Sequence, residues 1–357
     1  MKITQKSFYE ACENVIDNSK ANDIWKKLEN DTQNSSSFTF VNVMYYFGAM
    51  IIIASMTWLM NLGWKEFSSE GTALISFSYA MGFIYLGRKL WFRDNMKIPG
   101  GLLFTAAVCM TPLFTFSIQH SLGLWVGGEP GSYKNFYRYI KSGWIVMEIS
   151  TVFAGLVMLR YIRFPFITMP ICFVLWYASM DIVPLILGFD GYSHYGSEWW
   201  DLRKYISIVF GAVMILITLL IDRRTKEDFA FWGYLFGVIT FWFGLTLLDS
   251  NNELGKFIYA MINLSMIFIS VYLNRRIFII FGCIGVFGYF GHIVRHVFGY
   301  SFMAPISLTI IGLLVIYLGV IYQKNQKKID RKILSILPNW IEELRPVHRI
   351  DNVRSGN

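Results

Sequence analysis

"WIVMEISTVFAGLVMLRYIRFPFITMPICFVLWYASMDIVPL", residues 144–185, reads as two apolar blocks joined by a short basic turn that carries Arg160 and Arg163. A helix rises about 1.5 Å per residue, so about 20 apolar residues cross a hydrocarbon layer about 30 Å thick. Each block has that length, and neither alternates every second residue as membrane strands do. The stretch therefore predicts two membrane helices and a tight turn. Each block also holds a lone acid, Glu148 in the first and Asp181 in the second.

The same pattern recurs along the chain. Of 357 residues, 55% are hydrophobic and 16% charged. Apolar blocks fall at 41–62, 72–91, 101–126, 140–161, 165–188, 205–221, 229–248, 256–273, 277–298 and 302–322. The expected fold is all-α, a polytopic integral membrane protein of ten transmembrane helices, organised as a helical segment (1–38), a membrane domain (39–322) and an amphipathic basic tail (323–357). The first forty residues are polar and charged, so no cleavable leader is expected.

The net charge of +8 first reports orientation. Alternate turns and the tail collect Arg88, Lys89, Arg93, Lys97, Arg160, Arg163, Arg223, Arg224, Lys226, Arg275, Arg276 and Lys324 onward. The opposite side holds about half as many, among them Lys65, Lys134, Arg203 and Arg295. Basic residues stay on the cytoplasmic side, so both termini are expected there. No nucleic-acid partner is needed to explain the charge; the lipid bilayer is the first partner.

Two outer loops, "GGEPGSYKNFYRY" from 127 and "GFDGYSHYGSEWWDLRKY" from 188, are rich in Tyr and Trp, which favour the headgroup level. The tail "RKILSILPNWIEELRP" mixes apolar and charged residues as a helix lying on the membrane does, and is also a possible docking segment for a protein partner, as is the N-terminus. Cys109, Cys172 and Cys283 lie singly in apolar blocks, a placement that suits packing rather than disulfides or metal.

Ionisable residues inside spans are expensive, so they are neutralised, paired or set in a polar cavity. Glu148 and Asp181 fall at a similar depth in the outer half, and His120, His292, Arg295 and His296 join them in one layer. Thr151 and Gly155 share the helical face of Glu148, and Gly285 and Gly288 precede His292 on another, so both faces are expected to turn toward protein. His292 and His296 have the i, i+4 spacing of zinc-binding helices, but Arg295 between them would repel a divalent cation; no metal or cofactor is expected.

"GYLFG", 233–237, has the small-residue spacing of a helix-packing face, and "NMKIPGGLLFTAAVCMTPL", 95–113, predicts a turn and then a helix kinked near Pro112. The sequence holds no Walker loop, HExxH or GxSxG, so ATPases and the corresponding proteases are disfavoured.

At "FTFVNVMYYFGAMIIIASMTWLMNLGW", "KIPGGLLFTAAVCMTPL", "RFPFITMPICFVLWYASMDIVPL", "DRRTKEDFAFWGYLFG" and "VFGYFGHIV" the chain resembles an uncharacterised family of bacterial multi-pass membrane proteins. The resemblance implies a bacterial inner-membrane location and transfers no activity or site residue. Transport or sensing of a small solute, proton or cation through an outer-half polar cavity is the expected function. The alternative is a non-catalytic scaffold that holds a partner through its cytoplasmic ends.

Overall fold

A computed structural model describes residues 40–125, 142–187, 197–225, 227–248, 252–273 and 275–298, with isolated positions before 40 and between 303 and 320. The expected surface helix of the tail, the outer loop from 127, residues 188–196 of the second outer loop and most of the N-terminal segment lie outside these residues; the tenth expected span has only isolated positions within them. Everything described is helix or turn, with no strand among the described residues. Among the described residues, five helices are long and apolar enough to cross a membrane: Lys97–Ser121, Trp144–Tyr161, Asp201–Arg224, Glu253–Ser270 and Arg276–His296. Phe40–Met56, Pro165–Met180 and Phe231–Thr246 are apolar but shorter. The chain divides into two compact units, Met1–Trp125 and Val126–Asn357.

The first unit holds α1 (Phe40–Glu66), α2 (Ser69–Arg88), a single π turn (Lys89–Arg93), α3 (Lys97–Cys109) and α4 (Thr111–Ser121). Ser68 caps α2, its Oγ accepting from the Gly71 amide at 3.2 Å. α3 and α4 form one path broken at Met110, because Pro112 has no amide to donate to the carbonyl of Val108. This path is the hub of the unit: 61% of its apolar window is buried, against 22–28% for the other four candidate spans. Gly87 and Gly100 let α2 and α3 approach, since a Cβ on Gly100 would lie 3.0 Å from the Trp91 amide nitrogen. α4 ends in a Schellman turn with Gly123 at φ +68°, the Leu124 amide donating to the Gln119 carbonyl and that of Gly123 to His120.

The second unit runs α5 (Ser142–Tyr161), a 3-10 turn (Pro165–Ile167), α6 (Thr168–Leu187), α7 (Ser197–Arg224), α8 (Phe231–Thr246), α9 (Glu253–Leu273) and α10 (Arg276–Phe298). α5 packs along α6, α6 along α7 and α8, α7 along α8, and α10 along α9 and α8. Glycine sets the α7–α8 seam. A Cβ on Gly211 would fall 2.4 Å from the Phe241 amide nitrogen, and one on Gly233 2.3 Å from Thr218 Oγ1. No larger residue fits there unless something moves, so the small-residue spacing of 233–237 faces α7.

Beyond that seam the core is aromatic and aliphatic, built from Tyr234, Val238, Trp242, Met266 and Phe278. One polar tie runs through it: Trp242 Nε1 donates to Asn263 Oδ1 at 3.0 Å, and Asn263 Nδ2 donates to the Tyr259 carbonyl at 2.8 Å. Both halves of the buried amide are thus satisfied at the junction of α8 and α9, which fixes their register. A Cβ on Gly285 would strike the Asn263 side chain, so glycine also lets α10 close over this tie.

Candidate functional site

α5, α6, α7 and the start of α8 enclose a cavity of about 880 Å³. Its walls are apolar, with Leu156 and Leu159 from α5, Ile171 and Leu175 from α6, and Phe210, Val213 and Ile217 from α7. Leu156, Val213 and Ile217 are about half exposed, so the cavity is a groove open along the outer face of these helices.

One end of the groove differs. Where α5 and α7 finish and α6 begins, it is lined by Arg163, Thr168, Arg224, Thr225 and Glu227. The turn after α5 explains Arg163. Ile162 and Phe164 are buried on either side of it, and Phe164 is extended, so successive side chains alternate and Arg163 faces out. Both threonine hydroxyls donate to their own backbone, Thr168 to the Pro165 carbonyl at 2.7 Å and Thr225 to that of Ile221 at 3.0 Å. Among the described residues, the charged groups at this mouth are therefore two guanidiniums and one carboxylate.

An ion cluster beside the mouth accounts for the remaining acids of "DRRTKED", 222–228. Arg275, from the α9–α10 turn, donates through Nε to Asp222 Oδ2 at 3.2 Å and through Nη2 to Asp222 Oδ1 at 2.5 Å. Its Nη1 donates to Asp228 Oδ1 at 2.6 Å, and its guanidinium lies 5.3 Å from the centre of the Tyr234 ring. Asp222 is 0% exposed and Arg275 4%. The fork geometry satisfies a charge that could not otherwise be buried. Ser270 Oγ donates to the Arg275 carbonyl at 2.9 Å, which fixes the turn that presents the arginine.

Burial pushes the Arg275 pKa down, but the Asp222 and Asp228 carboxylates outweigh it and hold the group above its ordinary value. A raised pKa keeps the cation's contribution whole below the ordinary arginine range and loses it only above that range. The Arg275 guanidinium thus stays cationic at every pH where the protein is handled.

The residues singled out by sequence are distributed as follows. Glu148 is 8% exposed, and Thr151 and Gly155 on its face are buried. Val152, the next turn along that face, lines the far end of the groove, so Glu148 lies one turn beyond it. Asp181 belongs to α6, and its side chain lies outside the described set. His120 is in the first unit, with Nδ1 2.6 Å from Ser69 Oγ at the antiparallel start of α2. His292 and His296 stack with ring centres 5.9 Å apart, and His292 Nε2 stands 3.4 Å from Glu253 Oε1. Arg295 and His296 are exposed.

The glycine face of α10 departs from the expectation that its whole length turns toward protein. Gly285 meets Asn263, but a Cβ on Gly288 would meet nothing within 4 Å, so the stripe turns inward at Gly285 and not along its length. His292 meets His296 on one side and Glu253 on the other at one end of the α9–α10 pair, and among the described residues no three metal-ligating side chains are placed to hold a metal ion.

Spacing alone missed two features. The Asp222–Arg275 pair joins residues 53 apart, and each sits among charges that topology already explains. The one available sign was Asp222 following directly on the apolar end of α7. The groove left no sign, because its walls are the same aliphatic residues that face lipid.

A scan against protein-family models, a search of curated proteins and a search of solved structures each find no match to this chain.

Proposed function

We propose that this chain is a ten-span bacterial inner-membrane protein, with both ends cytoplasmic, that binds a chain-bearing amphiphile in the α5–α6–α7 groove in order to move it or sense it. Hydropathy and the placement of basic residues support the span count and orientation. The groove carries the function. Its volume of about 880 Å³ suits a drug-sized or lipid-like molecule, since small-molecule sites span about 300–1,000 Å³. A proton or bare cation needs far less room, and aliphatic walls would leave an ion without ligands. A hydrocarbon chain, by contrast, can slide into such a groove from the bilayer.

The reading is tested by filling the groove. Val213 lines its middle and is half exposed, so Val213→Trp adds bulk without disturbing the α7–α8 seam. Native mass spectrometry of the detergent-purified protein should show lipid adducts on the wild type that the variant lacks, with both unfolding at the same temperature. Equal adducts on both would sink the reading. A scaffold that holds a partner through residues 1–38 or 323–357 would then take its place, and deletion of those ends would test it.

A further inference from the structure

We propose that the mouth of the groove selects an anionic phospholipid, with Arg163 and Arg224 holding its phosphate while an acyl chain lies along the apolar walls. This rests on the groove reading above and adds the chemistry of the headgroup.

Charge complementarity carries the assignment. The mouth holds Arg163, Arg224 and Glu227 as its charged lining groups. The other two acids of the α7–α8 turn, Asp222 and Asp228, are drawn onto Arg275 and do not line the groove. The clasp thus leaves the mouth with an excess cation, although the turn's own sequence is nearly balanced. The neighbouring threonine hydroxyls are committed to backbone carbonyls, so among the described lining side chains the donors available to a ligand are the guanidiniums. A planar fork of N–H donors is the group best matched to phosphate oxygens.

Geometry places these cations where a headgroup would sit. Arg163 follows the last turn of α5 and Arg224 ends α7, both at one end of candidate membrane spans, and Arg163 and Arg224 are exposed. From there the groove runs back along the helices as far as Val152, Leu175 and Phe210. A charged mouth continuous with an aliphatic trough reproduces the division of a phospholipid into phosphate and chain. Glu227 at the same mouth disfavours a second negative charge, so a singly charged phosphodiester fits better than a phosphomonoester.

The test titrates the detergent-solubilised full chain with phosphatidylglycerol and with phosphatidylcholine of identical acyl chains, read by native mass spectrometry. The wild type should bind the anionic lipid about fivefold more tightly, the equivalent of the about 1 kcal/mol that one excess cation contributes at a lipid surface. The double variant Arg163→Gln/Arg224→Gln should bring the two lipids within about twofold of each other, since it removes the two guanidiniums that supply the preference. Both residues are exposed, so its unfolding temperature should match the wild type. Arg88→Gln/Arg93→Gln, in the first unit, should leave the preference intact and so control for net charge.

The failures separate. If Val213→Trp leaves lipid binding untouched, the groove reading itself fails and this inference falls with it. If Val213→Trp abolishes binding but the wild type shows no headgroup preference, or the arginine pair does not alter it, the groove stands and the anionic assignment is overturned. If the chainless phosphodiester glycerophosphoglycerol binds the wild type as tightly as phosphatidylglycerol does, the acyl chain adds nothing, the mouth is a free-phosphodiester site and the lipid assignment is overturned.

Discussion

Asp222 and Glu253 are acids in the same unit, each facing a potential cation, yet they are opposite kinds of interaction. Asp222 is 0% exposed and shares two hydrogen bonds with the Arg275 fork. Glu253 is 62% exposed, reaches Lys256 at 2.8 Å three residues along its own helix, and lies 3.4 Å from His292. One ties the α7–α8 turn to the α9–α10 turn; the other decorates the end of a single helix pair. What separates them is desolvation. Water screens the exposed pair almost to nothing, whereas a buried acid whose partner is removed has no substitute.

The largest effect should therefore come from breaking the clasp. Arg275→Ala or Asp222→Asn should cost about 3–5 kcal/mol of stability, the range for removing one partner of a buried pair. Denaturant unfolding in detergent measures it, and a loss no larger than that of a surface substitution would refute the contrast. Arg275→Lys should recover little, because an ammonium cannot span both Asp222 oxygens and Asp228 at once.

Next in size is the glycine seam of the same unit. Gly211→Ala puts a Cβ 2.4 Å from the Phe241 backbone, so α7 and α8 must part, at about 1–3 kcal/mol. Gly288→Ala, with nothing within 4 Å, should be neutral or gain the roughly 0.5–1 kcal/mol by which alanine outranks glycine in a helix. Opposite signs for the two substitutions would confirm that close approach, not glycine itself, matters at Gly211. Equal effects would refute it.

Much of this was legible from sequence, and the part that was not has a common cause. The helices and tight basic turns follow from block length, and the break before Pro112 follows from its missing amide; each depends on residues adjacent in the chain. The burial of Glu148 could be argued from Thr151 and Gly155 because they lie within two helical turns of it. The clasp joins residues 53 apart, and the groove needs three helices at once, so no local period encodes either. The face of α10 is hidden from the sequence for the same reason. Gly285 and Gly288 look equivalent along the helix, but α9 presents Asn263 to only one of them.

The smallest effects grade the comparison between its two extremes. Asp228 shares the Arg275 cation with Asp222 but is 51% exposed, so water takes over when it is removed. Asp228→Asn should cost no more than about 1 kcal/mol, the upper range for exposed pairs. Glu253→Gln and His292→Gln should leave the unfolding midpoint where it is, and added salt should not change that result, because little attraction survives there to be screened. Denaturant titrations of all four variants at low and high salt test the order Asp222, Asp228, then Glu253 with His292. A Glu253→Gln loss as large as that of Asp222→Asn would mean that burial is not the variable, and that the exposed Glu253 carboxylate holds the His292–His296 end of the helix pair in place as firmly as a buried one would.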